Sequence, residues 1–248
     1  IEPAKIDGSL VPKSIDILKK ENSILFIGGK FLTEECIKLA AIISSATGCR
    51  IVTDTFVSRI RRGAGLPMVE QVPYFSEVAE EFLKNTSGAI FIGSNPPVSF
   101  FAYPNKKSYL LPDETTILNL CSPEQDGLLA LQALSDECGN STINKNLIQN
   151  SIIEIPKTGK LDPISIGPLV SGLMPENAIV SDEAATSSLF VTPHTLMAKP
   201  HDWLALTGGS IGQGLPLAIG AAIAKPDRPV ITLHGDGGAM YTLSLIHI

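Results

Sequence analysis

Residues 207–216 read Thr207-Gly208-Gly209-Ser210-Ile211-Gly212-Gln213-Gly214-Leu215-Pro216, and residues 230–238 read Val230-Ile231-Thr232-Leu233-His234-Gly235-Asp236-Gly237-Gly238. The first stretch holds four glycines in seven residues, so its backbone can approach a ligand closely. It feeds a small-residue helix at 215–224, and helix N-termini favour anions. A dinucleotide fingerprint would need a third glycine where Leu217 stands, and no Gly-Lys-Ser/Thr follows to make a P-loop. Taken alone, the stretch is also compatible with a turn that only packs helix on strand. The second stretch is a buried-type strand running into a glycine-flanked carboxylate. A carboxylate at the carboxyl end of a parallel strand sits at the usual ligand edge of such a sheet. Asp236 can hold a hard cation such as Mg²⁺, which takes few carboxylates alongside substrate phosphates. Alone, it is also compatible with an Asp capping the next helix.

Outward from these motifs, short apolar strands alternate with amphipathic helices, which argues an α/β protein with parallel, helix-covered sheets. Strands are expected at 24–27, 50–53, 89–92, 108–111 and 116–120. Helices are expected at 76–84, at 125–138 and between the Thr33 cap and Gly48, with a short helix-like run at 14–20 after a linker-like opening. Residues 139–160 are rich in Asn, Ser and Lys and lack periodicity, as a linker does. A second α/β unit opens at Asp162-Pro163, a helix cap followed by proline. It continues with strands at 178–181, 204–206 and 229–233 and a helix at 184–190. The organisation is therefore a first domain at 1–138, a linker at 139–161 and a second domain at 162–248.

Composition sets limits on function. The chain has 248 residues, 44% of them hydrophobic and 18% charged, which excludes a disordered chain. Net charge is −6 and no basic run occurs, so nucleic acid is not an expected partner. No apolar stretch is long enough to span a membrane. Cys36, Cys49, Cys121 and Cys138 form no C-x-x-C, so they are read as reduced thiols of a cytoplasmic protein, with an organellar leader upstream of Ile1 left open.

The two motifs together, with Asp236 following Ile211 by 25 positions, resemble the thiamine diphosphate-binding domain of the acetolactate synthase, benzoylformate decarboxylase and pyruvate decarboxylase family. There a G-x-φ-G-x-x-L-P turn, φ being a large apolar residue, precedes a GDG motif at about this spacing. Residues 162–242 resemble the start of that domain and 5–138 the family's middle domain. Residues 61–73 (RRGAGLPMVEQVP) and 95–104 (NPPVSFFAYP) resemble an acetolactate synthase-like branch.

The resemblance implies a thiamine diphosphate- and Mg²⁺-dependent enzyme that decarboxylates or carboligates 2-oxo acids. The alternatives are a benzoylformate-type decarboxylase and a non-catalytic nucleotide-binding or regulatory chain that keeps the fold. It implies Asp236 as the Mg²⁺ ligand. Thr186, Ser187, Gly208, Gly209, Ser210, Ile211, Gly235, Gly237 and Gly238 would line the cofactor, with Gly237 and Gly238 giving N–H groups to the diphosphate. The Gly209 carbonyl would meet the aminopyrimidine, and Ile211 would be the wedge that bends the cofactor. Gly238 stands where the family commonly has Ser. A glutamate that activates the cofactor and a further metal-binding Asn segment are expected outside this chain, before Ile1 and after Ile248. The working assembly is expected to be a homodimer or homotetramer through the pyrimidine-binding domain. Glu183 is placed on the diphosphate side and not in the activating role.

FAD is not expected in the middle domain, since the 27–30 turn has only Gly28 and Gly29. His194 and His201 are read as solvated or supporting, His234 as a packed strand end and Trp203 as core. Arg59, Arg61 and Arg62 are read as a solvated or interface cluster. The closing residues, LSLIHI, depart from the family pattern, so His247 is not read as catalytic.

Overall fold

Strand β1 (Ile24–Ile27) is buried along its length, as is β5 (Gly88–Ile92) beside it. Strands apolar on both faces suit a parallel sheet covered on both sides. The structure, a computed structural model, describes residues 3–139, 141–150, 153–155 and 158–243, so all of LSLIHI after Leu243, with His247, lies outside the described residues. Two compact units emerge: Ile1–Thr55 with Pro67–Leu147, and Phe56–Leu66 with Ile148–Ile248.

The first unit is a five-stranded sheet that also contains β2 (Arg50–Thr53), β4 (Glu70–Gln71) and β6 (Thr116–Cys121). Its order is β4-β2-β1-β5-β6, and every pairing is parallel. Successive side chains alternate faces. Ile24 and Phe26 therefore share one face with Val52, Ala89 and Phe91, where they meet Ala79 and Leu83 of α3 (Ser76–Leu83). Helices α1 (Leu10–Leu18), α2 (Glu34–Thr47) and α4 (Gly127–Glu137) belong to the same unit. Thr33 caps α2 by accepting from the Cys36 N–H, and Gly48 ends it in the left-handed region at φ +82°. Asp126 caps α4 by accepting from Leu128 and Leu129.

The second unit holds β3 (Ile60–Arg62), β7 (Ile179–Glu183), β8 (His201–Leu204) and β9 (Val230–His234) in the order β3-β8-β7-β9. Strand β7 pairs in parallel with β8 and with β9. The helices are α5 (Pro163–Leu173), α6 (Ser188–Thr195), α7 (Gly214–Ala224) and α8 (Asp236–Leu243). Asp162 and Ser165 form a reciprocal capping box at the start of α5.

Several expectations need correction. Residues 108–111 form no strand: Leu110 and Leu111 are buried, but the backbone makes only an isolated antiparallel bridge between Val98 and Tyr109. Helix α1 begins inside the stretch read as a linker, and the 184–190 helix is a short turn followed by α6. Strand β8 lies at 201–204 and not 204–206, because its polar residues find buried partners. Residues 56–66, inside the sequence span 1–138, join the second unit, since β3 adds antiparallel to β8 with Arg61 opposite Asp202. Within 139–161, residues 145–147 make a short turn and Gly65 donates to the Gln149 carbonyl at 2.9 Å.

The arginines of β3 are only partly solvated. Arg62 is buried, stacks 3.9 Å over the core residue Trp203, and donates to Thr195 Oγ1 at 2.5 Å and to His201 Nε2 at 3.3 Å. Burial pushes it down to about 9, against the pull of the Asp182 carboxylate. Asp202 accepts from Arg59 at 2.8 Å and Arg228 at 2.6 Å. Burial raises Asp202, but these hydrogen bonds outweigh it and hold it below its usual range.

His201 is fully buried, not solvated, and burial followed by the Arg62 charge pushes it down to about 4. Its ordinary value is near 6.5, so below that pH the unfolded chain binds a proton that the folded chain refuses. Stability of this unit should fall as pH drops from about 6.5 toward 4, by up to about 3 kcal/mol from this group. Denaturant melts of wild type and His201→Gln across that window check it: the difference between them should shrink as pH falls, and a constant difference contradicts it.

Candidate functional site at the carboxyl edge of the second sheet

Because β8, β7 and β9 run parallel, their last residues Leu204, Glu183 and His234 end at one sheet edge. The loops that follow, 184–187, 205–213 and 235, lead into α6, α7 and α8. This is the edge where open parallel sheets bind ligands. Every residue expected from the sequence lies here: Thr186 and Ser187 after β7, Gly208 to Ile211 after β8, and Gly235 to Gly238 after β9.

The first loop is pinned by Asp182, which accepts from Ser188 Oγ at 2.5 Å and from the Ala184 N–H at 3.1 Å. Burial raises the Asp182 carboxyl, against these two hydrogen bonds. Thr186 is exposed and Ser187 half-buried, beside Ala185 in the left-handed region at φ +48°.

The glycine turn needs its glycines: Gly208, Gly209 and Gly212 have φ of +64°, +66° and +94°. The Gly209 carbonyl already accepts from the Ile211 N–H at 3.0 Å, leaving its second lone pair. Ile211 is 53% exposed. The α7 N-terminus has an anion of its own. Glu183, 5% exposed, already fills that place, with Oε1 accepting from the Gly212 N–H and Oε2 from the Gly214 N–H at 2.7 Å. The anion at this helix start is the protein's own carboxylate. Ser181 Oγ donates to the Gly214 carbonyl at 2.8 Å and Thr242 Oγ1 to the Gly212 carbonyl at 3.0 Å.

In the third loop, no hydrogen bond from another described residue reaches the first N–H groups of α8. Gly235 donates to the Glu183 carbonyl at 3.1 Å, and Asp236 opens α8 exposed to solvent. The first N–H groups of a helix, here Asp236, Gly237 and Gly238, have no partner inside it. A Cβ at Gly238 would come within 2.9 Å of Glu183 Oε1 and 3.0 Å of His234 Cε1, which accounts for Gly where the family commonly has Ser. His234 is a packed strand end: Nδ1 lies 2.9 Å from the Gly235 carbonyl, and Nε2 lies 3.3 Å from Glu183 Oε2 without the alignment of a hydrogen bond. Among the described residues no group of three or more His, Cys, Asp or Glu side chains could enclose a metal. One exposed carboxylate beside a helix start fits a Mg²⁺ that is held partly by phosphate oxygens.

Among the described residues of the first unit, the corresponding crevice is filled. The unit's strand order reverses between β1 and β5, the place where a dinucleotide would lie. There a Cβ at Gly28 would fall 2.6 Å from Ser94 Cβ, and the Phe31 ring packs against Gly93 and, 2.7 Å from any Cβ, against Gly127. Asp126 takes the α4 N–H groups, and Glu34 and Glu35 make the start of α2 negative.

Residues 183–247 match the family model described as "Thiamine pyrophosphate enzyme, C-terminal TPP binding domain". A Mycobacterium tuberculosis protein assigned to acetolactate synthase large subunits, IlvX, is 42% identical over 224 residues, covering 90% of this chain and 43% of that protein. Benzoylformate decarboxylase of Pseudomonas aeruginosa is 32% identical over 88 residues, covering 36% of this chain and 17% of that protein. A solved thiamine diphosphate-dependent 4-hydroxybenzoylformate decarboxylase of Rhodococcus jostii shares the fold at a TM-score of 0.71 and 21% identity, over 97% of this chain and 48% of that one. Residues 183–247 are thus similar to the cofactor-binding domain of thiamine diphosphate-dependent enzymes, and 90% of the chain is similar to part of the Mycobacterium tuberculosis protein. The chain spans less than half the length of these relatives.

Two residues escaped the sequence reading. Glu183 was placed at this edge but without its role as acceptor for the glycine turn. Its signal was a turn whose N–H groups needed a partner next to a strand ending in Ser181-Asp182-Glu183. Arg62, read from the sequence only as one of a solvated or interface cluster, carries no local signal of its burial, which depends on the distant pairing of β3 with β8. The occupied crevice of the first unit generates one expectation: the purified protein should carry no flavin. Absorbance of the protein and of its acid supernatant checks this, and stoichiometric flavin contradicts it.

Proposed function

We propose that the protein carrying this chain is a thiamine diphosphate- and Mg²⁺-dependent enzyme acting on 2-oxo acids, acetolactate synthase-like in its reaction. The observation that carries the reading is the coincidence of the family match at 183–247 with the edge where three parallel strands deliver their loops. When bound, thiamine diphosphate supplies the electron sink that lets a 2-oxo acid lose its carboxylate. The residues of this chain bind and orient. Asp236 would hold the cation, and the N–H groups of Gly237 and Gly238 would face the diphosphate. Thr186 and Ser187 would close it from the β7 side, with Gly235 and the backbone of Gly208 and Ser210 bordering the cofactor. The second lone pair of the Gly209 carbonyl would take the aminopyrimidine amino group, with Ile211 as the wedge beneath.

The acetolactate synthase-like reading is supported by the relative that aligns along 90% of the chain. A 2-oxo acid decarboxylase is the second reading, supported by the benzoylformate decarboxylase relative. Product analysis with pyruvate separates them: acetolactate for the first, an aldehyde alone for the second, and neither for a chain that keeps only the fold. A homodimer or homotetramer belongs to the same proposal, as do the absence of a nucleic-acid or membrane partner and a cytoplasmic location. The exposed Ile219 and Ile223 of α7 are apolar surface that such an assembly would cover. Among the described residues no helix is long and apolar enough to cross a membrane.

Asp236→Ala should weaken Mg²⁺-dependent thiamine diphosphate binding by ~100-fold or more, roughly 3 kcal/mol, in a calorimetric titration. Unchanged affinity would remove Asp236 from the metal role. Ile211→Ala should leave affinity within ~3-fold while turnover per bound cofactor falls ~10-fold or more, since misplacing reacting groups is costly. A collapse in affinity with unchanged turnover contradicts the wedge.

A further inference from the structure

An exposed side chain cannot be held by its own packing, so only its backbone can aim Ile211. That backbone is framed by one residue. Glu183 accepts from the N–H groups on either side of Gln213, at Gly212 and Gly214, while Thr242 holds the Gly212 carbonyl and Ser181 the Gly214 carbonyl. We infer that Glu183 is a positioning residue, a built-in carboxylate that fixes the glycine turn and through it the aim of Ile211. Its catalytic part rests on the cofactor reading above, whereas the clamp itself does not.

The chemistry requires a carboxylate. Both oxygens face N–H donors, so a carboxamide would turn an NH₂ group toward one of them, donor against donor. The negative charge also lies at the start of α7, where the helix dipole favours it. Each oxygen already has its N–H partner and the residue is 5% exposed, which leaves Glu183 unsuited to touching a ligand directly. Its neighbourhood is shaped to the same end. A Cβ at Gly214 would sit 3.0 Å from Glu183 Cβ, and one at Gly238 would press on Glu183 Oε1, so the two glycines leave the carboxylate its room.

The test combines amide hydrogen exchange of the cofactor-free intact protein with steady-state turnover. In wild type, the Gly212 and Gly214 amides should be protected well beyond exposed loop amides; loss of protection at both overturns the proposal without any variant. In Glu183→Gln both amides should exchange ~10-fold faster or more, as for a locally opened segment. Turnover per bound thiamine diphosphate should fall ~10-fold, with affinity for the cofactor and Mg²⁺ within ~3-fold, because the diphosphate is held elsewhere. Combined with Ile211→Ala, Glu183→Gln should add almost nothing, as coupled sites do. A purely structural role predicts a lower melting temperature, unchanged turnover per bound cofactor and full additivity, and that result overturns the positioning role. If wild type binds no thiamine diphosphate, the cofactor reading fails while the exchange arm still decides the clamp.

Discussion

Parallel pairing of β7 with both β8 and β9 is the constraint on which the candidate site depends. Parallel strands end on the same side, so three sequence-distant loops meet at one edge without any long-range design in the loops themselves. Reversing either pairing would send the glycine turn or the Gly-Asp-Gly loop to the opposite edge. The register continues the effect: Glu183 pairs with His234, the last residue of β9, which brings the Glu183 carbonyl within 3.1 Å of the Gly235 N–H.

Two helices start at this edge with opposite fates. The start of α7 receives the Glu183 carboxylate, and the start of α8 exposes Asp236 and Gly237, with Gly238 half-buried behind them. Helix starts attract anions in general, so under the proposed function the internal carboxylate would direct a diphosphate to the start of α8. The same logic runs through the first unit, where Asp126, Thr33 and Phe31 occupy the places a phosphate would use. In the proposed site, specificity for one helix start would come as much from filling the alternatives as from building the site.

What could be read from the sequence was local. The apolar runs at 24–27, 50–53 and 89–92 became β1, β2 and β5 because both faces of a covered parallel sheet are buried. The caps at Thr33 and Asp162 formed as their side-chain chemistry requires. The two glycine motifs placed all their residues at one edge. What escaped was set by distant partners. Strand β3 is three residues, two of them arginines, and carries no strand signal; it exists because β8 offers Asp202 and His201. His201 and Asp202 look like loop residues, yet they are buried against Arg62, Arg59 and Arg228. Conversely, Leu110 and Leu111 advertise a strand and are buried from an irregular segment. The clamp by Glu183 was invisible because three acceptor-bearing residues end β7, and only the structure shows which one turns toward Gly212 and Gly214.

The central claim is that a diphosphate binds at the start of α8 and not at the start of α7. A crystal structure of the intact protein grown with thiamine diphosphate and Mg²⁺ tests it most directly. The account predicts the cation on Asp236, the diphosphate against the Gly237 and Gly238 N–H groups, and Glu183 still bonded to Gly212 and Gly214. A diphosphate on the Gly212 and Gly214 N–H groups, with Glu183 displaced, would contradict it.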